Sequence, residues 1–291
     1  MSDYQFLRYE TLDDGVIARI YLNRPEARNA QNIGLLRELN DAFLRAEADD
    51  AVRVVILGGL GPAFSSGHDL GTAVGKEDRE RYRPSQIGAE GRWIFEWEYY
   101  FDCTRRWRDL RKITIAQVQG YCLAAGLMLA WCCDLIVAAE GTIFADVVGT
   151  RLGMCGVEYL AHPWELGPRK AKELLLTGDS IDAEEAYRLG MVNKVFPPER
   201  LEEETLNLAR RIARLPTITT LLIKEAINQT QDIQGFYNAL KAAFSLHQLN
   251  HAHWAEVTKG AAYVGTPEFG VSQEWKRIMP AEKSSSGYRP E

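Results

Sequence analysis

Two short segments combine small residues with the end of an apolar run, where backbone N–H groups can be offered to a ligand. One is FSSGHDL (64–70) and the other is CLAAGLML (122–129). Glycine and alanine let a ligand approach the main chain, and free N–H groups at a helix start attract negative charge. Two such donors aimed at one point would hold an oxyanion, each contributing about 3 to 4 kcal/mol. Close strand–helix packing would explain either segment equally well.

The elements around these segments alternate between strand and helix. Apolar runs predict strands at 16–22 and 52–59, and apolar residues at helical spacing predict a helix at 32–48. Two further apolar runs, ITIAQVQ and DLIVAAE, flank the second segment. This order predicts an α/β fold whose parallel strands are buried on both faces.

An aromatic-rich stretch from about 85 to 111 places apolar residues near one helical face and predicts a single long helix. Its bulky side chains either line a pocket for a large ligand or form ordinary core.

No strand is predicted beyond residue 200, where amphipathic helices at 201–214, 217–228 and 233–255 follow. We therefore interpret the chain as an α/β core, a helical C-terminal region and a disordered tail. Their boundaries are 1–200, 201–280 and 281–291.

Composition narrows the possible partners. The 291 residues carry a formal net charge of -6, which disfavours broad attraction to nucleic acid or to an anionic membrane. No apolar run reaches the roughly 18 to 20 residues that cross a bilayer, and MSDYQFLRYE lacks the features of a signal peptide. The five cysteines form no CxxC pair and are expected as buried thiols in a reducing compartment. We expect a cytoplasmic protein.

Four segments, taken together and in order, resemble the crotonase (enoyl-CoA hydratase/isomerase) superfamily between about residues 15 and 230. FSSGHDL is similar to the family's FxxGxDL segment, and LNRPEARNA is similar to its NRPxxxNA segment. The remaining two are QGYCLAAGLMLAWCCDLIVAAEGTIFA and LLLTGDSIDAEEAYRLGMVNKVFP.

The resemblance implies a spiral of ββα units and a helical C-terminal region that forms homotrimers or dimers of trimers. It also implies an acyl-CoA thioester as the partner, with coenzyme A as part of the substrate and no separate cofactor. The oxyanion hole would be the N–H groups of His68 and Ala125, where alanine replaces the usual glycine and requires a negative φ. The residues implied to contact the acyl-CoA are Ala27, Ser66, His68, Asp69, Leu70 and Ala124.

Hydratases of this family use two glutamates, and the resemblance places their positions at Met128 and at Val148 or Gly149. Apolar residues cannot transfer a proton or polarise water. We therefore expect hydrolysis, isomerisation or carbon–carbon cleavage of a bulky acyl-CoA in preference to simple hydration.

The alternative to an enzyme is a catalytically silent CoA-binding or scaffold protein.

Three other side chains could supply the missing proton chemistry. Asp146 precedes Val148 by two residues and is a candidate acid or base, or else a turn or capping aspartate. Glu158 is expected on a helix face or at a cap, with a role in the site as the alternative. The imidazole of His68 either reaches the substrate or stays solvated.

The remaining histidines are predicted to be structural. His162 is expected as a satisfied core residue, with catalysis as the alternative. His247 and His251 have the i, i+4 spacing of metal ligands, and His253 follows them. Because no third ligand or HExxH pattern accompanies them, we predict a polar helix face and no metal site.

Overall fold

The computed structural model describes residues 4–257, so the tail at 281–291 and the end of the predicted helical region lie outside the described residues. The strands are β1 (Leu7–Leu12), β2 (Ile17–Leu22), β3 (Val54–Gly59), β4 (Ile113–Val118), β5 (Tyr121–Leu123), β6 (Leu135–Ala139), β7 (Ile143–Ala145), β8 (Ile181–Asp182) and β9 (Lys194–Phe196). The helices are α1 (Ile33–Ala48), α2 (Ala73–Arg81), α3 (Gly88–Glu96), α4 (Asp102–Arg108), α5 (Ala125–Trp131), α6 (Val148–Leu152), α7 (His162–Thr177), α8 (Ala183–Leu189), α9 (Leu201–Ala213), α10 (Thr217–Ile233) and α11 (Phe236–Val257).

The main sheet has the strand order β1-β2-β3-β4-β6-β9. The strand β1, which the sequence pattern did not predict, pairs antiparallel with β2, and every other neighbouring pair is parallel. All residues of β3 and β4 are buried, as expected for strands covered on both faces. The predicted α/β class is confirmed.

A smaller sheet with the order β5-β7-β8 lies at the ends of the main strands and carries the candidate site. Single bridges join Ser65 to Cys122 and Gln31 to His68, so the loop after β3 is pinned between β5 and the turn before α1. The two small-residue segments are brought side by side in this way.

The predicted long helix is present with an interruption. A π-helical segment at Trp97–Phe101 joins α3 to α4, and such segments shift the side-chain register within a continuous helix. The rings of Trp93, Trp97 and Phe101 contact Phe244 of α11; Phe101 is buried in the core and Trp97 is half-buried against it, whereas Trp93 is exposed.

Beyond Phe196 the described part of the chain is helical. The helix α9 covers one face of the main sheet, where Leu201 and Ala209 pack with residues of β3 and β4. The helix α10 exposes apolar side chains, among them Ile218, Leu222 and Ile227. Within 4–257, no helix combines the length and apolarity needed to span a membrane.

The prediction of five buried thiols is wrong at two positions. All five cysteines are free; Cys103, Cys122 and Cys132 are buried, whereas Cys133 is half-buried and Cys155 is exposed. Cys155 lies in an irregular segment between α6 and α7, which its apolar neighbours in sequence did not indicate.

Candidate active site

The N–H group of His68 points away from Gln31, the residue with which its loop pairs. The N–H of Gln31 donates to the carbonyl of Gly67 (2.8 Å), and the N–H of Asp69 donates to the carbonyl of Gln31 (3.0 Å). Because successive peptide groups of an extended chain point to opposite sides, the N–H of His68 points to the other side, where β5 and α5 lie.

Ala125 is the first residue of α5, so its N–H has no acceptor within the helix. Among residues 4–257, neither this N–H nor that of His68 donates a hydrogen bond. The two turns touch, because a Cβ added at Gly67 would lie 3.2 Å from the nitrogen of Ala125. Gly67 also has a φ of +94, which disfavours any side chain there.

The backbone strain of this turn falls at Ala124. Its φ is 48 and its ψ is -120, a combination that costs a residue with a Cβ about 1–3 kcal/mol. Ala125 is not among the residues with positive φ, so an alanine can replace the family's glycine there without backbone strain. The helix start is therefore held with its first N–H turned outward.

Four of the six residues implied to contact an acyl-CoA lie along the loop after β3, and Ala27 and Ala124 lie in turns beside it. The Oγ of Ser66 donates to the carbonyl of Ala27 (3.4 Å), which joins the loop to the turn at Pro25–Ala27. Leu70 is 46% exposed. Ala124 forms the turn before α5.

Asp69 anchors the loop through its buried side chain. Its Oδ2 lies 2.8 Å from the guanidinium of Arg24, and its Oδ1 accepts the N–H of Thr72 (2.9 Å). Burial raises the pKa of Asp69, but the hydrogen bonds from Thr72 and Arg24 outweigh it and lower the pKa. The carboxylate is thus committed to the fold, and the backbone of Asp69 is also engaged, since its N–H donates to Gln31 and its carbonyl accepts from Arg79.

The positions of the two family glutamates carry no titrating group. Met128 lies one turn after Ala125 and is 2% exposed. Val148 begins α6, and a Cβ at Gly149 would lie 2.9 Å from the carbonyl of Leu175, so a side chain there requires rearrangement. Neither position can therefore supply an acid or a base.

Asp146 is completely buried, and both of its carboxylate oxygens have partners. Its Oδ1 accepts the N–H of Val148 (2.9 Å) and its Oδ2 accepts the N–H of Val157 (3.1 Å). The Nε2 of His162, itself fully buried, lies 3.1 Å from Oδ2. These contacts tie two loops together; the acid–base role of Asp146 stays a prediction.

The prediction that Glu158 lies on a helix face or at a cap is wrong. Glu158 lies in an irregular segment, is 5% exposed, and its Oε2 is 3.1 Å from the Nε2 of His68. Burial raises the pKa of Glu158, but the imidazoles of His68 and His247 outweigh burial and lower the pKa. Sequence spacing could not reveal this pair because its members are 90 residues apart.

The His68 ring is fixed on two sides. It stacks on Tyr100 with ring centroids 3.7 Å apart, and its Nε2 faces Glu158. Its Nδ1 is buried and has no hydrogen-bond partner among the described residues. In the tautomer whose Nε2–H donates a hydrogen bond to Glu158, the ring presents a lone pair at Nδ1, which is the form of a general base.

The predicted polar face at His247 and His251 is also wrong. These residues are 3% and 4% exposed, and they meet Glu96 of α3, while His253 is exposed. The Nε2 atoms of the two imidazoles lie 3.0 Å apart, and the Nε2 of His251 lies 3.1 Å from the Oε1 of Glu96. The one sequence signal for Glu96 is an acid within the aromatic stretch RWIFEWEYYF.

The electrostatics of this cluster are strongly perturbed. Burial lowers the pKa of His247, but Cys155, Glu96 and Glu158 outweigh it and raise the pKa to about 11. Burial raises the pKa of Glu96, but the imidazoles of His247 and His251 bring it far below its usual range. Burial lowers the pKa of His251, and the neighbouring His247 lowers it further.

Comparison with known proteins identifies the family of this chain. Residues 13–269 match the family model described as Enoyl-CoA hydratase/isomerase. EchA13 of Mycobacterium tuberculosis, which is named as a candidate enoyl-CoA hydratase, is 60% identical over 97% of this chain and 92% of its own length.

Two solved structures give the same result. Proteins of Mycobacterium smegmatis and Mycobacterium thermoresistibile, both named as probable enoyl-CoA hydratases, are 45% and 44% identical to this chain. Each match covers 87% of this chain and 98% of the other, with TM-scores of 0.80 and 0.81. The chain therefore belongs to the enoyl-CoA hydratase/isomerase family, the crotonase superfamily.

Proposed function

We propose that the protein binds an acyl-CoA thioester and stabilises negative charge on its carbonyl oxygen with the N–H groups of His68 and Ala125. One observation carries this proposal: among the described residues these two N–H groups, on touching turns, have no acceptor. A pre-oriented donor of this kind costs no reorganisation when charge develops, and its loss costs about 10²–10³ in rate.

The imidazole of His68 is proposed to move the proton, with Glu158 as its positioning residue. The ring belongs to the same residue as one of the two donors, and its buried Nδ1 has no hydrogen-bond partner among the described residues. Glu158 fixes the tautomer by accepting from Nε2, as a carboxylate does in other acid–base pairs. Asp146 remains the alternative predicted from sequence, although both of its oxygens already accept backbone N–H groups.

The reaction proposed is hydrolysis, isomerisation or carbon–carbon cleavage of a bulky acyl-CoA. Activation of water by two glutamates has no side chain to perform it at Met128 or at Val148 and Gly149. Tyr100, a buried ring that stacks on His68, places an aromatic side chain next to the imidazole, as a bulky acyl group would favour. No metal or separate cofactor is assigned to this chemistry.

A homotrimer or a dimer of trimers is proposed as the assembly. The support within the chain is the set of exposed apolar side chains on α10, a helix of the C-terminal region. An exposed apolar patch of this kind marks an interaction surface.

The test is exchange of the α-proton of phenylacetyl-CoA in deuterated water, followed by NMR, together with calorimetric binding of CoA. The wild type is expected to exchange the proton, whereas His68→Gln is expected to lose exchange and retain CoA binding. Asp146→Asn is expected to retain exchange. Loss of exchange in Asp146→Asn with full exchange in His68→Gln would transfer the proton chemistry to Asp146.

The second candidate, a catalytically silent CoA-binding or scaffold protein, is favoured by the apolar residues at both glutamate positions. It predicts CoA binding with neither proton exchange nor turnover of any acyl-CoA in a substrate panel. Hydration of crotonyl-CoA by the wild type would contradict both the silent reading and the preference against hydration.

A further inference from the structure

The ligand atoms of Glu96, His247 and His251 form a compact triangle between α3 and α11. The two Nε2 atoms are 3.0 Å apart, and the carboxylate oxygens of Glu96 lie 3.1 Å from His251 and 3.4 Å from His247. A tetrahedral zinc ion with bonds of about 2.0–2.1 Å separates its ligand atoms by about 3.3 Å. The triangle therefore has the dimensions of a metal site with little movement required.

His247 and Glu96 also have hydrogen-bond partners of the kind that orient metal ligands in proteins. The Nδ1 of His247 lies 2.9 Å from the carbonyl of Gly156, so Nδ1 carries the proton and Nε2 is directed at the cluster. The side-chain amide of Gln248 donates to the Oε2 of Glu96 (2.6 Å) and fixes the carboxylate. Such outer contacts hold a ligand's tautomer and orientation and tune its affinity.

The two buried carboxylates of the cluster are also suited to a cation. The carboxylates of Glu96 and Glu158 are both buried, and the Oε1 of Glu158 lies 3.7 Å from the Nε2 of His247. Buried carboxylates require compensation by a counter-charge. A single divalent ion at the triangle would supply charge that balances both of them.

We propose that Glu96, His247 and His251 bind a divalent transition-metal ion of the zinc type, with Glu158 next to its fourth position. Two imidazoles and one carboxylate form a donor set that zinc uses in proteins. The ion would clamp α11 to α3 and hold Glu158 in place behind His68. It acts on the candidate site through Glu158 alone and makes no contact with the thioester.

The test measures zinc directly. Protein stripped with a chelator is dialysed against Zn²⁺, and bound metal is counted by mass spectrometry; Co²⁺ replaces Zn²⁺ for visible spectroscopy. All variants are made in a Cys155→Ser background, because the Cys155 thiol, which is exposed and forms a hydrogen bond with His247, is a zinc ligand in its own right. His253→Ala is the matched control, since His253 lies exposed on the same helix. Circular dichroism verifies that each variant is folded.

The background protein and His253→Ala are expected to bind about one Zn²⁺ per chain. Glu96→Gln, which keeps the side-chain shape, and His251→Ala are expected to bind none, and Gln248→Leu to bind about 10–100-fold more weakly. Zinc binding by the background protein that does not exceed that of Glu96→Gln would overturn the proposal. The cluster would then be an ion-pair network held by a proton on His247.

Discussion

The two-amide site, formed by the N–H groups of His68 and Ala125, and the charged cluster of Glu96, Glu158, His247 and His251 meet at one residue. The backbone of His68 belongs to the first, and its ring contacts the second. The two-amide site is built from small residues and main-chain geometry, whereas the cluster is built from long side chains on distant elements. His68 therefore links a backbone site that would bind negative charge on a ligand to a cluster of charged side chains.

The largest expected effect separates the ring of His68 from its backbone. His68→Gln keeps the N–H donor and removes the base, so α-proton exchange is expected to fall by about 10²–10⁴. Glu158→Gln is expected to lower exchange as well, and the double variant is expected to be no slower than His68→Gln alone, because the two residues act as one unit. Fully additive losses would show that Glu158 acts independently of His68.

The next effect concerns the anchor of the first turn. Asp69→Asn leaves the guanidinium of Arg24 buried without its carboxylate, and unfolding in urea is expected to show a loss of about 3–5 kcal/mol. Since the pKa of Asp69 is lowered in the folded state, the pair stabilises the protein above the ordinary aspartate pKa. That contribution is lost as the pH falls through the lowered value, so the variant is expected to lose less stability on acidification than the wild type.

A smaller effect tests the contact between the two turns. Gly67→Ala places a Cβ 3.0 Å from the carbonyl of Leu123 at a φ of +94, so we expect a loss of about 1–3 kcal/mol and slower exchange. Gly71→Ala is the control, because a Cβ there meets nothing within 4 Å. Equal stability of the two variants in urea would show that the turns do not need to approach so closely.

The smallest effect measures the strain stored before α5. Ala124→Gly relieves a φ of 48, so we expect the free energy of unfolding to rise by about 1 kcal/mol. The gain is partly offset because glycine loses more conformational freedom on folding. A loss of stability would show that the turn is unstrained as it stands.

Local patterns predicted most of the fold. The buried strands β3 and β4, the helix α1 and the succession of C-terminal helices each follow from hydrophobic spacing within one segment. The edge strand β1 was missed because its burial alternates weakly and its pairing with β2 is what defines it. The π segment within the long helix has no spacing signal of its own.

The candidate site, like the fold, was predicted only where a local sequence pattern defines it. The turn at 122–129 was predicted because small residues before a helix are a local signal, whereas the strain at Ala124 depends on its exact φ and ψ. The pairing of Glu158 with His68 joins two loops that are 90 residues apart, and the burial of His247 and His251 depends on α11 packing against α3; no local pattern contains either contact. Side-chain chemistry assembled over long sequence separation therefore had to come from the structure.

The most direct measurement compares Ala124→Gly with the double variant Ala124→Gly/Ala125→Pro. Proline is tolerated at the first position of a helix, and it removes the N–H of residue 125 without adding charge. We predict that α-proton exchange of a bound acyl-CoA falls by about 10²–10³ in the double variant, while CoA still binds and the protein remains folded. Equal exchange rates in the two variants would contradict the two-amide site.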